Sequence, residues 1–529
     1  YNAVRSAHNP CSKALLDACD HLGVLVMDEY VDHWYIHKTL HDYVEYFDAW
    51  WRRDLADMVE KDRNHPSVLL YSIGNEVAET AQERGVLLTR QMVEHLHVLD
   101  PTRPVTCGVN IFFNLLSSLG LGQYSDEKAR REAEQAAHQG ATPHRAVGSE
   151  FYNITYNRLA GLLGAGFMKK GAALPACDRV TRDAFAQMDV AGYNYGIDRY
   201  RHDLRAYPHR LILGSETFCS DAQRFAELAK KEPRLVGDFV WAGMDYLGET
   251  GVGAWEYNDY APRESGFGWL TAGSGRVDLT GKPLGEALYT RVALTGETGP
   301  YLAVCPVNHT GERHSPSAWK MSSAIESWSW DGCEGRAANV EVYAHAHAVA
   351  LLLNGREVGR RLLKGSCVAR MSCRYEPGTL EAVAYDEDGR ELGRRSLRSA
   401  SGQTELRAEV EYAGVPGGFA RRDVWHEGAA AGPACVGAGR LAFVRVRYTG
   451  TNGETRSLAR GVLRASVEGG DLLGFGCASP FNEGSFVTGE TQTYFGEALA
   501  VVRPVLDSDC VRLSVTDGAL SASVELPVA

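Results

Sequence analysis

The sequence lacks the features that would place it in a membrane, on a nucleic acid or around a cluster of zinc-binding cysteines. None of its apolar runs reaches the roughly 20 residues that a membrane-spanning helix needs. The net charge is −12, so the chain offers no excess of positive charge to phosphate groups or anionic lipid. Its 12 cysteines are scattered, and the nearest two that could pair, Cys367 and Cys373, do not have zinc-site spacing. We therefore expect no nucleic-acid partner, no membrane partner, and the reduced thiols of a cytosolic protein.

The beginning of the chain also lacks an initiation region. Residue 1 is Tyr, and Asn2–Ser6 already has the pattern of a strand interior. We expect a fragment of a longer protein, in which any signal peptide would lie upstream. A cytoplasmic location is the prediction, and secretion stays open.

Residues 1–300 alternate strand-like and helix-like segments. The predicted helices include Ser12–Leu22, Asp42–Lys61 and Ala81–Val98. The predicted strands are Ala3–Ser6, Val24–Met27, Val68–Ile73, Pro104–Cys107, Val190–Tyr193, Leu211–Leu213 and Phe239–Trp241. Repeated βα units predict a parallel sheet with right-handed crossovers. A (β/α)8 barrel needs eight strands. Residues 1–300 are thus predicted to form a TIM barrel that lacks its first strand.

One connection in this barrel is unusually long. About eighty residues separate the Cys107 strand from the Val190 strand, far more than an αβ loop needs. The connection contains Asn110–Gly122, which is apolar and rich in glycine, and Asp126–His138, which has the pattern of a polar helix. Two interpretations stay open: an insertion that walls the active-site face, or a surface embellishment.

After about residue 300 the helical periodicity fades and short alternating runs with turn residues take over. The predicted strands are Val340–Tyr343, Ala348–Leu353, Thr379–Tyr385, Leu441–Tyr448, Val462–Val467, Ala498–Arg503, Val511–Val515 and Ala522–Leu526. Blocks of this length and pattern are typical of immunoglobulin-like sandwiches. We predict two such domains, residues 301–400 and 401–529.

Two carboxylates occupy equivalent places in the predicted barrel. Glu76 follows the strand Val68–Ile73, and Glu216 follows a strand three places later. Strand ends of this kind form the active-site face of a barrel, and strands so far apart in order face each other across its mouth. Two carboxyls held roughly 5 Å apart are the acid/base and the nucleophile of a retaining glycosidase. These two residues are the predicted catalytic pair.

Other strand ends contribute polar and aromatic groups. The predicted substrate-binding residues are His8, Asn75, Tyr193, Asn194, Tyr195 and Trp241. An amide beside the acid/base can bind a sugar hydroxyl, a tyrosine can orient the nucleophile, and an indole can stack on a pyranose. Each of these residues taken alone is more often structural, but their joint occurrence at strand ends favours a sugar pocket.

Several motifs taken in order resemble glycoside hydrolase family 2, the family of β-galactosidases, β-glucuronidases and β-mannosidases. The motifs are Asn2–Pro10, Val26–Glu29, Arg63–Val68, Ser72–Glu76, Leu211–Glu216 and Phe239–Glu249. The resemblance spans the barrel, and Ala348–Gly359 and Leu441–Pro504 look like the C-terminal β-domains of bacterial β-galactosidase-like members.

The resemblance implies a role for each matching residue. It makes Glu76 the acid/base, Glu216 the nucleophile, and Asn75 the partner of the sugar 2-hydroxyl. His8, Trp241 and Asp245 fall on positions that line the sugar pocket. His65 matches a position that binds magnesium in some members, whereas others use none, so the prediction is no cofactor and no metal.

The sequence also departs from the family pattern. The jelly-roll and immunoglobulin-like domains that normally precede the barrel are missing, as is the first strand. Glucuronidases carry an Asn-x-Lys motif near the end of the barrel, and none occurs in Gly266–Lys282. The predicted substrate is therefore a neutral β-glycoside, with galactose first.

Several alternatives remain. They are a β-glucuronide or β-mannoside specificity, a carbohydrate-binding protein on an inactive barrel, and an inactive fragment of an active parent. The presence of both Glu76 and Glu216 argues against an inactive barrel. A homo-oligomer of the full-length parent is left open.

Overall fold

The computed structural model describes residues 1–38, 42–121, 163–255, 257, 268–315, 317–415, 418–421, 432–505 and 507–529. These residues form two compact units. The first contains residues 1–243 and 316–321, and the second contains residues 244–315 and 322–529. The whole segment Asp126–His138 and the start of Gly266–Lys282 lie outside the described residues.

The first unit is built on one seven-stranded parallel sheet, whose strands follow in chain order from β1 to β7. The strands are β1 Ala3–Ser6, β2 Leu25–Glu29, β3 Val68–Asn75, β4 Val105–Asn110, β5 Ala191–Asn194, β6 Ile212–Thr217 and β7 Leu235–Val240. The first and last strands approach each other, so the sheet is a nearly closed barrel. The predicted barrel with seven visible strands is confirmed.

Helices connect these strands, as the βα alternation predicts. Those of the first unit are α1 Lys13–Leu22, α2 Val44–Asp62, α3 Glu83–Leu99, α4 Ile111–Ser118, α5 Ala165–Ala172, α6 Pro175–Phe185, α7 Tyr200–Ala206 and α8 Ala222–Ala229. In helix α1, capping residues in the sequence determine where the helix begins and ends. The Ser12 hydroxyl accepts a hydrogen bond from the Leu15 N–H at 3.2 Å, and Gly23 ends the helix at φ 68°.

Alternation along the strands separates an outer face from an inner face. Outward-pointing residues such as Val26 and Tyr71 pack against the helices in the main core. Met27, Leu70 and Leu213 form a separate small apolar cluster. Since successive side chains of a strand face opposite sides, this cluster lies on the inner face of the sheet. Polar residues occupy the carboxyl-terminal halves of the same strands.

The second unit contains helix α9, Gly285–Thr295, and two pairs of antiparallel sheets. The first pair consists of β8 Tyr301–Val304, β9 Ala337–Tyr343, β10 Ala348–Leu353, β11 Arg356–Leu362, β12 Val368–Arg374, β13 Thr379–Tyr385 and β14 Glu391–Arg398. Their order is β11-β10-β13-β14 in one sheet and β12-β9-β8 in the other. Both sheets supply one shared apolar core. Seven strands in this arrangement fit the predicted immunoglobulin-like sandwich.

The second pair of sheets has a core of its own. Its strands are β15 Glu405–Val415, β16 Gly418–Arg421, β17 Ala442–Thr449, β18 Val462–Glu468, β19 Gly470–Gly476, β20 Glu490–Gln492, β21 Glu497–Pro504, β22 Cys510–Thr516 and β23 Ser521–Pro527. Their order is β16-β15-β17-β21-β19 and β20-β18-β22-β23. We keep the domain boundaries at residues 300 and 400 as a proposal.

Within the described ranges, none of the helices combines the length and the hydropathy that a bilayer crossing requires. All 12 cysteines are free thiols.

Candidate active site

The side chain of Arg5 joins three strands at the carboxyl end of the barrel. It projects from β1, is 3% exposed, and donates hydrogen bonds to Glu29 on β2 at 2.9 Å from both Nε and Nη2. Its Nη2 also donates to Asn75 Oδ1 at 2.8 Å. Its Nη1 donates to Glu216 Oε1 at 2.8 Å and to the Ser215 carbonyl at 2.9 Å. One guanidinium therefore fixes two carboxylates and an amide that lie far apart in the sequence.

Glu29 is the fully buried partner of Arg5. It also accepts hydrogen bonds from Ser72 Oγ at 2.8 Å and, through Oε1, from His8 Nδ1 at 2.8 Å. Burial alone would raise the pKa of Glu29, but the Arg5 charge and the bonds from His8 and Ser72 lower it overall. In the same way burial would lower the pKa of His8, but Glu29 outweighs burial and raises it. The result is a buried ion cluster at the ends of β1 and β2.

A chain of amides links this cluster to Glu76. Asn194 Nδ2 donates to Asn75 Oδ1 at 2.8 Å and to Glu76 Oε1 at 3.3 Å. Asn110 Nδ2 donates to the same Glu76 oxygen at 2.8 Å. The orientation of the Asn194 amide is set by Ser215, whose hydroxyl donates to Asn194 Oδ1 at 2.6 Å. Glu76 is thus held by neutral donors from β4 and β5.

The electrostatic environment of Glu76 favours its protonated form. Burial is the largest cause that raises its pKa, and the nearby Glu216 charge raises it further. The charge of Lys38 and the two amide bonds oppose this rise without cancelling it. The backbone of Glu76 has φ 46°, a left-handed conformation that is uncommon for residues other than glycine and concentrates at functional sites.

Glu216 is bound on one side by Arg5 and on the other by Tyr195, whose hydroxyl forms a hydrogen bond with it. The indole Nε1 of Trp319 donates to the Tyr195 oxygen at 2.9 Å. Because an indole N–H can only donate, the tyrosine oxygen must accept, and its own hydrogen is directed to Glu216. Burial, followed by the carboxylates of Glu216 and Glu76, raises the pKa of Tyr195. Tyr195 therefore stays a donor to Glu216.

An aromatic pair forms part of the same region. The imidazole of His8 is stacked on the indole of Trp241, with ring centroids 4.9 Å apart and planes within 6°. The guanidinium carbon of Arg5 lies 6.0 Å from the same indole centroid. Trp241 is half-buried, and its ring is fixed against the polar cluster.

The structure brings most of the predicted residues together: His8, Asn75, Glu76, Asn194, Tyr195, Glu216 and Trp241. Tyr193 is different. Its side chain points to the outer face of β5, where it stacks on Phe185 at 4.5 Å, is hydrogen-bonded to Asp203, and accepts a bond from Arg210 at 3.1 Å. Since neighbouring residues of a strand face opposite sides, Tyr193 and Asn194 cannot both face the site. Tyr193 is a core residue, and we correct its predicted role.

Two other predicted positions make contacts outside the hydrogen-bonded network described above. Asp245 belongs to the second unit, where its carboxylate accepts a bond from the Gly275 N–H at 3.4 Å. His65 precedes β3, at the opposite end of the strand from Glu76, and bonds Asp20 at 2.6 Å. His65 therefore lies away from the predicted catalytic pair. Among the described residues, no group of three or more His, Cys, Asp or Glu side chains could hold a metal ion.

Sequence reasoning missed several residues of the cluster. Arg5 and Glu29 lie inside the motifs Asn2–Pro10 and Val26–Glu29, and the signal that points to them is a charged residue facing inward in a buried strand. Asn110 ends β4, the same position in its strand that Asn75 has in β3. Trp319 gives no signal in the sequence, since it comes from a short segment about a hundred residues after β6 that returns to the first unit.

Comparisons with known proteins find relatives of this chain. The family model described as "Glycosyl hydrolases family 2, TIM barrel domain" matches residues 1–150. A second model, for a domain of unknown function, matches residues 335–393. The "Beta-galactosidase BoGH2A" of Bacteroides ovatus is 25% identical over 99% of this chain and 56% of that protein. The human "Beta-glucuronidase" is 30% identical over 20% of this chain and 16% of that protein.

A solved structure shares the fold along the whole chain. A glycosyl hydrolase family 2 member from Bacteroides cellulosilyticus superposes with a TM-score of 0.76 and is 27% identical. The match covers 100% of this chain and 58% of the solved one. The chain thus spans little more than half the length of these long matches.

Proposed function

Since the chain belongs to glycoside hydrolase family 2, we propose that the whole protein is a retaining β-glycosidase that removes terminal β-linked sugars, with β-galactosides as its substrates. One observation carries the proposal. Two carboxyls at the ends of β3 and β6 belong to one hydrogen-bonded network but have different electrostatic surroundings. A double displacement needs such a difference between its two carboxyls.

The proposed first step is attack on the anomeric carbon by Glu216. The ion pair with Arg5 at 2.8 Å stabilises its negative charge, and the bonds from Arg5 and Tyr195 orient the carboxylate. Glu76 is the general acid that protonates the departing oxygen, because burial and the charge of Glu216 raise its pKa. After the leaving group departs, Glu76 becomes the base that activates water, and the covalent sugar on Glu216 is released.

The sugar itself would be held by the groups around the two carboxyls. Asn75 donates or accepts next to the reacting carbon, and the His8–Trp241 stack offers an aromatic surface to the ring. The absence of an Asn-x-Lys motif in Gly266–Lys282 supports a neutral sugar. The relative named as a β-galactosidase, which matches along 99% of this chain, supports galactose. A β-glucuronide is the second candidate, because several relatives that match over shorter stretches are named β-glucuronidases.

Activity of the whole protein on a panel of nitrophenyl β-glycosides tests the substrate, with the galactoside expected to react fastest. Azide tests the roles of the two carboxyls. In Glu76→Ala, deglycosylation lacks its base, so azide should restore turnover and give a β-glycosyl azide. In Glu216→Ala, azide should replace the nucleophile and give the α-product. A β-azide from the Glu216 variant and no rescue of the Glu76 variant would exchange the two roles.

A further inference from the structure

A cavity of about 640 Å³ lies outside the catalytic network, beside the carboxyl ends of β1 and β2 and along α2. Residues of its wall that matter here are His8, Asn9, Asp32, Tyr43, Asp54 and Asp57. We call this cavity the α2 groove. His8 belongs both to the groove and to the network around Glu29. A ligand in the groove would therefore begin where the proposed sugar site ends.

One face of α2 continues the wall of the groove. Tyr43, Tyr46, Trp50, Asp54 and Asp57 are spaced three, four, four and three residues apart. With 3.6 residues per turn, this spacing places the last four on a single stripe of α2, and Tyr43, which directly precedes the helix, lies at the start of that stripe. Since Tyr43, Asp54 and Asp57 line the groove, Tyr46 and Trp50 extend the same surface.

The aromatic rings of this stripe are accessible. Tyr43 is 36% exposed, Tyr46 53% and Trp50 41%. The rings of Tyr43 and Tyr46 lie 5.6 Å apart, and the guanidinium of Arg53 is 5.2 Å from the Trp50 ring centroid. Three exposed aromatic residues within two helical turns form a contiguous apolar patch, and such patches on a protein surface often mark a binding site.

Carboxylates outnumber cationic side chains in the wall of the groove, although Asp57 lies 3.7 Å from Arg53 and Asp32 lies 3.9 Å from Lys38. Asp32 is 37% exposed and Asp57 65%. Asp54 accepts hydrogen bonds from the hydroxyls of Tyr30 and Tyr43 at 2.6 and 3.0 Å. Lys61, which also lines the groove, is paired with Asp28 at 2.9 Å. Carboxylates accept bonds from sugar hydroxyls but repel anions, so the surroundings favour a neutral ligand.

We propose that the α2 groove and the aromatic stripe Tyr43–Tyr46–Trp50 bind a neutral saccharide chain. The groove holds the part of an extended substrate that lies beyond the sugar removed at Glu76 and Glu216. Aromatic rings stack on the apolar faces of pyranoses, and the carboxylates of Asp54 and Asp57 bind their hydroxyls. The link to catalysis rests on the proposed function, whereas binding by the groove does not.

Calorimetry on the whole protein tests binding without turnover. The background is Glu216→Gln, titrated with a neutral galactotetraose, with a tetrasaccharide of uronic acids as the charge control. We expect the neutral chain to bind and the uronate chain to bind far more weakly. Trp50→Ala and Asp57→Asn should each weaken tetraose binding about ten-fold, the loss expected for one stacked ring or one hydrogen bond to a carboxylate. Phe419→Ala is the matched control, because Phe419 is also 41% exposed.

Kinetics on the active protein separate this inference from the proposed function. In Trp50→Ala, kcat/KM should fall more for the tetraose than for nitrophenyl β-galactoside. If Trp50→Ala leaves tetraose binding unchanged, the proposed saccharide site in the α2 groove is refuted, even if the protein hydrolyses nitrophenyl galactoside. A Trp50→Ala protein that loses stability or changes its association state without weaker binding also overturns it, because the stripe is then a protein contact. If the protein has no glycosidase activity but Trp50→Ala still weakens tetraose binding, the proposed function is refuted and the saccharide site in the α2 groove is supported.

Discussion

Replacing Arg5 by lysine should separate the geometry of the catalytic cluster from its charge. The guanidinium donates five hydrogen bonds, to Glu29, Glu216, Asn75 and the Ser215 carbonyl. A lysine ammonium has only three donors on one nitrogen, so at least two of these bonds are lost. Bonds to charged groups contribute about 1.5 to 3 kcal/mol each, which predicts a loss of about 3 to 6 kcal/mol in the free energy of unfolding.

Activity should fall further than stability explains. Glu216 would lose a partner that fixes its position, and a misplacement of about 1 Å can cost about 100-fold in rate. We expect kcat of the folded Arg5→Lys protein to drop about 100-fold. The assay is urea unfolding together with kcat, with active sites counted in the folded fraction.

Arg199→Lys provides the matched control. Arg199 is 2% exposed and bonds Asp178 at 2.7 Å and Asp203 at 2.9 Å. This ion cluster lies around α7 and does not include Glu76 or Glu216. Arg199→Lys should therefore lose stability but keep kcat. Equal kcat values for the two variants would refute the reasoning that Arg5 positions the nucleophile.

Three more predictions concern other buried contacts. Burial and Asp28 raise the pKa of Asp62 to about 7 in the folded protein. In the unfolded chain an aspartate has a pKa near 4, so between about pH 4 and pH 7 the folded state holds a proton that the unfolded state has released. Stability should fall as pH rises from about 4 through about 7, and Asp62→Asn should make this fall shallower in urea unfolding across that range, since Asp238 contributes to it as well. Trp319→Phe removes the donor to Tyr195, and the loss of about 1 kcal/mol predicts a roughly five-fold lower kcat at unchanged KM; an unchanged kcat would make Trp319 purely structural. Gly192→Ala places a methyl group against the backbone of β4, so its melting temperature should fall sharply, and a wild-type value would contradict the packing.

The sequence predicts the barrel strands well where an apolar run ends at a turn. The structure gives the predicted bounds for β1, and β3 begins at the predicted Val68. Strand β7 is the exception: the prediction was Phe239–Trp241, and the strand is Leu235–Val240. Gly237 and Asp238 interrupt its apolar pattern. Asp238 is tolerated there because Thr217 donates a hydrogen bond to it at 3.1 Å and burial, the largest cause, raises its pKa to about 7.

The site could be predicted only where the chemistry coincides with a strand end. Tyr193, Asn194 and Tyr195 looked equivalent in the sequence, yet strand alternation sends Tyr193 outward. Tyr195 escapes the alternation because its backbone adopts φ 55°. A pattern of residue types does not reveal this conformation. Nor does it reveal Arg5, whose partners come from three strands that are separated by long stretches of chain.

The charges of the cluster support the proposed division of roles between Glu76 and Glu216. Glu216 and Glu29 share the guanidinium of Arg5, and a raised pKa lets His8 supply a second positive charge next to Glu29. When His8 is protonated, two cations face the carboxylates of Glu29 and Glu216. Glu76 is bonded by two amides instead, and a further negative charge there would repel Glu216. The surroundings of Glu76 therefore favour its protonated form, which fits its proposed role as the acid, whereas Glu216 lies against the guanidinium of Arg5.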